Sequence, residues 1–208
     1  MTEQKQIRNI LFDLGGVILD IDIQATLKCY YELGFPRELL NYPQNIDTDI
    51  FYNYQVGKTG TREFRDDLRR FSGVDASDRE LDDAWNAMII RIPEERTRLI
   101  GRLQEHYNLY MLSNTSPLHV TVFEKMYQDT AGIPMHEVFK KIYYSHEIRR
   151  HKPDHGAWKY VIDDAGIVPE ETLFLDDTMH NIKASQELGF QAIHIHERTS
   201  LTELGFDL

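Results

Sequence analysis

The sequence predicts an α/β protein: a doubly wound parallel sheet with an inserted helical segment. Three observations predict it. Short apolar runs end abruptly at small polar or acidic residues, helical patterns alternate with such runs after residue 93, and the stretch between 21 and 92 carries helical patterns without a convincing strand. Alternation of strand and helix implies parallel strands with helices packed on both faces.

The elements follow in order. Ile7 to Phe12 is a short apolar run ending at Asp13-Leu14-Gly15-Gly16, which reads as a buried strand opening into a tight turn. Leu109 to Leu112 ends at Ser113-Asn114-Thr115-Ser116-Pro117, and Leu173 to Leu175 ends at Asp176-Asp177. Ile142 to Tyr144 and Ala192 to Ile195 are weaker strand candidates. Pro93 to His106 places Leu99, Ile100 and Leu103 at helical spacing, with a proline suited to a first turn. Ser116 to Tyr127 is a further helix. His155 to Ala165, capped by Gly166, carries Trp158, Val161 and Ile162 on one face, and Asn181 to Leu188 ends at Gly189. In the insertion, Gln24 to Tyr31, Thr61 to Phe71 and Leu81 to Ile90 read as helices. The expected division is a core of residues 1–20 and 93–208 and a helical unit of 21–92.

Composition bounds the function classes. The 208 residues are 41% hydrophobic and 27% charged, enough for a buried core. A formal net charge of −11 argues against nucleic-acid and anionic-membrane partners, which favour a basic face. Cys29 is the only cysteine, so no internal disulfide forms. No signal peptide or membrane span is evident, which makes the cytoplasm the expected location. A monomer and a homodimer are both compatible with the sequence.

The chemistry lies where the strands end. Ligands of open parallel sheets bind at the carboxyl ends of the strands. Three of the predicted strands end at Asp13, Ser113 and Asp176-Asp177, so folding is expected to gather three carboxylates and a hydroxyl at one edge. Three carboxylates repel one another unless a cation lies among them. An all-oxygen ligand set suits Mg²⁺, which also binds substrate phosphate. Lys152, in His151-Lys152-Pro153-Asp154, is the expected additional positive charge.

These residues resemble a known family. Phe12-Asp13-Leu14-Gly15-Gly16-Val17 resembles motif I of the haloacid dehalogenase-like (HAD) hydrolases, Leu112-Ser113-Asn114-Thr115 motif II, Lys152-Pro153 motif III, and Phe174-Leu175-Asp176-Asp177 with Asn181 motif IV. The four occur in family order between residues 10 and 181. The insertion sits where the C1-type helical cap sits on the family's Rossmann-like core. Within the family the sequence most resembles the bacterial branch that includes glucose-1-phosphate phosphatases.

The resemblance implies an Mg²⁺-dependent phosphatase acting on a small phosphorylated metabolite such as a sugar phosphate. Asp13 would attack phosphorus and form an aspartyl-phosphate. Asp13, Asp177 and the carbonyl of Gly15 would hold Mg²⁺, with Asp176 acting directly or through a metal-bound water. Leu14, Gly15, Ser113 and the backbone N–H of Asn114 would grip the phosphate oxygens. Lys152 would pair with Asp13 and the transferring group, and Asn181 would support a ligand or a bound water. Such catalysis is mostly positioning and electrostatics.

One position departs from the family pattern. A second aspartate usually stands two residues after the nucleophile as general acid and base; here that residue is Gly15. General acid–base assistance is typically worth about 10²–10⁴-fold, so a substrate with a good leaving group would suffer least from the loss. Asp20 and Asp22 lie nearby and read as a polar flap or helix N-cap.

Other features read as structural. Gly57-Lys58-Thr59 resembles the tail of a phosphate-binding loop, but Tyr52 stands where the first glycine belongs and no strand precedes it. His194 and His196 alternate along a strand without further zinc ligands. Phe51, Tyr52 and Tyr54 read as insertion core, and Asp66-Asp67 and Asp82-Asp83 as solvated helix faces. Two alternatives use the same fold. A metal-independent 2-haloacid dehalogenase would use the same aspartate but lack the acidic pair at 176–177, and a catalytically weak ligand-binding or regulatory protein would only bind.

Overall fold

The computed structural model describes residues 6–36, 49–196 and 200–206. In chain order the elements are β1 (Asn9–Phe12), β2 (Asp20–Ile21), α1 (Ile23–Glu32), α2 (Asp49–Gln55), α3 (Thr61–Ser72), α4 (Asp78–Asn86), β3 (Ile89–Arg91), α5 (Glu94–Leu103), β4 (Asn108–Ser113), α6 (Pro117–Ala131), α7 (Met135–Val138), β5 (Lys141–Tyr144), α8 (Ser145–Ile148), α9 (His155–Ala165), β6 (Thr172–Asp176), α10 (Met179–Glu187) and β7 (Gln191–His194). Five strands form one parallel sheet in the order β5-β4-β1-β6-β7. Each of the five expected strands is present to within a residue or two.

Alternation along the strands divides the interior into two layers. Ile10 and Phe12 of β1, Leu109 and Met111 of β4, and Leu173 and Leu175 of β6 face a core that includes Ile100, Leu103, Phe123 and Tyr127. Leu11, Tyr110, Leu112 and Phe174 face the opposite core, built on Trp158, Val161 and Ile182. Successive side chains of a strand point to opposite faces, so a continuous apolar run is what a strand covered on both sides needs. β1 is central, and the chain fills the sheet outward on either side of it. The crevice over its carboxyl end is the switch point where such sheets bind ligands.

The inserted helices have their own core. Tyr30, Phe35, Tyr54, Phe64, Leu68, Leu81 and Trp85 are buried together, with Leu118 of α6 packed against them. The Tyr54 and Phe64 rings stack at 4.1 Å, and Phe51 stacks on Trp85 at 5.1 Å. Of the three expected core aromatics, Tyr54 is fully buried, Phe51 packs against the cluster and Tyr52 stays exposed.

Several expectations need correction. The insertion does contain strand: β2 and β3 pair antiparallel, at Asp20↔Arg91 and Ile21↔Ile89. Strands of two and three residues are too short to show a period, and helix α4 ends at Asn86 rather than at Ile90. Pro93 is the N-cap of α5 and not a first-turn residue. Asp82 is not merely solvated: its carboxylate takes Arg65 Nε at 2.8 Å and Nη2 at 2.5 Å, a bidentate pair that ties α4 to α3. Asp22 is the N-cap of α1, accepting from the Gln24 N–H at 2.9 Å. Asp20 pairs with Arg96 at 2.8 Å and Arg91 at 3.0 Å, holding the short ribbon to α5. Among the described residues no helix is long and apolar enough to cross a membrane.

Candidate active site

Three strand ends build the site. Asp13 follows β1 directly, and its N–H donates to the Leu175 carbonyl of β6 at 2.8 Å. That bond extends the ladder and places the Asp13 side chain beside the end of β6. Asp176 is the last residue of β6, and Asp177 follows it. Lys152 comes from the loop before α9, and its Nζ donates to Asp13 Oδ1 and to Asp176 Oδ2, both at 2.7 Å. Lys152 is 2% exposed and also lies over the Phe174 ring at 5.4 Å. A buried ammonium needs partners of this kind.

Asp176 is the anchor of the group. Its Oδ1 accepts the Thr178 N–H at 2.8 Å, and Asn181 Nδ2 lies 3.0 Å from each carboxylate oxygen. Together with Lys152 these donors surround a carboxylate that is 0% exposed. Asp177 is different. It lies at the open side, with Thr178 Oγ1 donating to it at 3.2 Å. Ligand oxygens of Asp13, Asp176 and Asp177 all lie within 4.8 Å of one another.

The charges do not balance within the protein. Three carboxylates share one ammonium. Burial raises the Asp13 pKa to about 7, the nearby Lys152 opposing this and Asp176 and Asp177 adding to it. Burial, then Asp176, also raises Asp177. For Lys152 burial works against the charge, but Asp13 and Asp176 overcome it and hold its pKa above the usual lysine value. A divalent cation fits this deficit and these all-oxygen donors. The backbone is shaped for it as well. Gly16 has φ +70°, and a Cβ there would stand 2.2 Å from Asp177 Oδ2. Only glycine allows both the left-handed turn and that approach. Gly16→Ala is therefore expected to push Asp177 out of the cluster and to weaken Mg²⁺ binding at least about tenfold, on the scale of supporting-residue losses at metal sites. Calorimetric titration with Mg²⁺ checks this, and wild-type affinity in the variant would contradict it.

The motif I turn is closed by its own backbone. The Leu14 carbonyl accepts from Ile18 and Leu19 N–H, each at 2.9 Å, and the Leu14 side chain is buried in the core. Among the described residues the backbone N–H groups of Leu14, Gly15 and Asn114 donate to no backbone carbonyl in these turns. Ser113 ends the neighbouring strand β4 and is buried. The structure thus brings Asp13, Lys152, Asp176, Asp177 and Asn181 into direct contact or close approach, with Ser113 at the end of β4 and Leu14, Gly15 and Asn114 on the adjoining turns. The Asn114 side chain does something unforeseen, bonding to the backbone of Lys152 and to His151. His194, by contrast, is a residue that the sequence did not single out for the site: its Nε2 donates to the Asp177 carbonyl at 2.8 Å and braces that strand end. No sequence spacing links either contact to the site.

A parallel sheet thus gathers an all-oxygen carboxylate cluster and a buried lysine over its central strand, a donor set suited to a hard divalent cation. Residues 7–189 match the haloacid dehalogenase-like hydrolases, and the chain belongs to that family. It is 31% identical over 185 residues to a D-ribitol-5-phosphate phosphatase of Bacteroides thetaiotaomicron, covering 89% of this chain and 90% of that protein. Among solved structures, a HAD family enzyme of B. thetaiotaomicron in complex with magnesium and inorganic phosphate superposes with a TM-score of 0.84 at 34% identity, covering 90% of this chain and 93% of the other. A predicted HAD-like family hydrolase of Porphyromonas gingivalis superposes with a TM-score of 0.83 at 29% identity, covering 91% of each chain.

Proposed function

We propose that this protein is an Mg²⁺-dependent phosphomonoesterase that transfers the phosphoryl group of a small phosphorylated polyol or sugar to Asp13 and then to water. The observation that carries this reading is the junction of Asp13, Asp176, Asp177 and Lys152 at one sheet edge. The phosphatase and magnesium–phosphate relatives support it.

The steps follow from the side chains. Asp13 Oδ attacks phosphorus while the P–O bond to the leaving oxygen breaks, giving an aspartyl-phosphate and an alkoxide that takes its proton from solvent, since Gly15 supplies no acid. Lys152 holds Asp13 in place and offsets charge on the transferring group. The N–H groups of Leu14, Gly15 and Asn114, with Ser113, grip the phosphate oxygens. Water then attacks phosphorus and frees the Asp13 carboxylate. Asp13, Asp177 and the Gly15 carbonyl would hold Mg²⁺, with Asp176 and Asn181 in support; when bound, the ion neutralises charge and orients phosphate. The acidic pair at 176–177 separates this reading from a metal-independent dehalogenase. We assign residues 1–20 and 93–208 to the core and 21–92 to a cap, with the β2–β3 ribbon astride their junction.

A panel of sugar phosphates, polyol phosphates, nucleotides and acyl phosphates, run with Mg²⁺ and with chelator, tests the function. Phosphate release that needs Mg²⁺ is the expected outcome. No release from any member would refute the proposal and favour a binding protein.

Two further results are expected. At Gly15 a Cβ would meet only Ile21, with Cδ1 nearest at 3.2 Å, a half-exposed side chain able to move. Gly15→Asp should fold normally and raise turnover of alkyl phosphates by about 10²-fold, the lower range of acid–base assistance; an unchanged rate and unchanged leaving-group dependence would contradict it. The second concerns pH. The Asp13 pKa rises from 3.8 to about 7 on folding, so the metal-free fold loses stability as pH rises between those values. Mg²⁺ needs the ionised form, so its affinity should climb as pH rises through about 7. Thermal unfolding with and without Mg²⁺ should show greater stabilisation at about pH 8 than at about pH 6. Equal stabilisation at both would contradict the raised pKa.

A further inference from the structure

Lys152 is held by its backbone as well as by its ion pairs. Its N–H donates to Asn114 Oδ1 at 2.9 Å, and its carbonyl accepts from Asn114 Nδ2 at 2.9 Å. These two bonds fix which way the Asn114 amide faces. Asn114 Nδ2 also reaches His151 Nδ1 at 3.2 Å, so that ring nitrogen must accept. A neutral imidazole accepting at Nδ1 carries its proton on Nε2. Nε2 lies 3.1 Å from Gln55 Oε1 and donates to it. Burial lowers the His151 pKa to about 4, which keeps the ring neutral.

Gln55 is the last residue of α2, in the helical insertion, whereas His151, Asn114 and Lys152 belong to the sheet unit. A continuous line of hydrogen bonds therefore joins the two units and ends on the backbone of the lysine that grips Asp13. The surrounding contacts are close. The Gln55 carbonyl accepts from Ser145 Oγ at 2.6 Å, and the Tyr52 ring meets His151 edge-on at 5.5 Å. Gly57, at φ +67°, lies so near the His146 carbonyl that a Cβ would stand 2.0 Å from its oxygen.

We infer that Gln55 and His151 form a positioning relay through which seating of α2 on the sheet unit orients Lys152 for phosphoryl transfer. The insertion then controls turnover and not only substrate binding. The inference rests on the phosphatase reading for its kinetic consequence, but the hydrogen-bond line stands on geometry alone.

The test uses the full chain with Mg²⁺, p-nitrophenyl phosphate and D-ribitol 5-phosphate. Gln55→Leu should lower kcat about fivefold to tenfold, the scale of one lost hydrogen bond, with KM and the unfolding midpoint nearly unchanged. Gln55→Glu keeps an acceptor for the His151 Nε2–H and should restore kcat. Adding Gln55→Leu to His151→Leu should cost little beyond His151→Leu alone, because both break one line. A rise in KM with kcat intact, or fully additive losses, would overturn the relay. Nitrogen-15 spectra of the imidazoles give a readout that needs no turnover. The Nε2–H tautomer of His151, perturbed in Gln55→Leu, supports the relay, and an Nδ1–H tautomer overturns it. If the wild type releases no phosphate from either probe, the phosphatase reading suffers while the spectra still decide the relay.

Discussion

Exchanging Asp13 for asparagine is expected to slow phosphate release by at least about 10⁴-fold, the scale seen when a nucleophile is removed. The substitution is nearly isosteric. The amide oxygen of the new side chain can still accept from Lys152 Nζ, so the 2.7 Å contact survives and the fold should stand. What disappears is the anionic oxygen that attacks phosphorus. Stability should move the other way. Burial and two neighbouring carboxylates disfavour the charge on Asp13, so the amide relieves a repulsion. In metal-free buffer near pH 8 the variant should melt at or above the wild-type temperature. Loss of activity with unchanged or raised stability is a joint signature that general misfolding cannot mimic. Substantial turnover in Asp13→Asn would refute the nucleophile assignment.

Lys152→Met should have the largest effect on stability. The ammonium is 2% exposed and sits between two buried carboxylates. Removing one partner of a buried ionic group costs about 3–5 kcal/mol, because the remaining charge is stranded. Asp13 and Asp176 would be left together without their cation. Asp13, whose pKa burial already raises to about 7, can escape by protonation, so the cost should be greatest near pH 8 and shrink towards about pH 5. Urea unfolding at the two pH values measures this. Phosphate release should fall as well, by about 10²–10³-fold, as for loss of one electrostatic stabiliser. A stability loss independent of pH would show that packing, and not charge, holds the lysine in place.

Much of this was legible in the sequence because two strong local signals coincided. Apolar runs such as Ile10–Phe12 and Leu173–Leu175 had to be covered on both faces, and each stopped at a carboxylate. Once parallel pairing is granted, Asp13 and Asp176 must meet, since each stands one residue beyond the paired Phe12 and Leu175 of neighbouring strands. Lys152 was legible only through its place in an ordered set of motifs, because a lysine before proline in a loop carries no periodic signal. The β2–β3 ribbon was illegible since two or three residues cannot display alternation. The Asp82–Arg65 pair and the Asn114–His151–Gln55 line were illegible for a different reason. They join residues 17 to 96 positions apart through side-chain direction, which only the packed insertion determines. A polar residue on a helix looks solvated until its partner helix is known.

The most direct measurement is chemical trapping at position 13. An enzyme quenched during turnover with Mg²⁺ and substrate is treated with borohydride, which reduces an aspartyl-phosphate to homoserine, and the peptides are then mapped by mass. Conversion at Asp13, absent without Mg²⁺ and absent in Asp13→Asn, is the expected result. Continued phosphate release with no modification at Asp13, or reduction at a different carboxylate, would contradict the covalent role assigned to it.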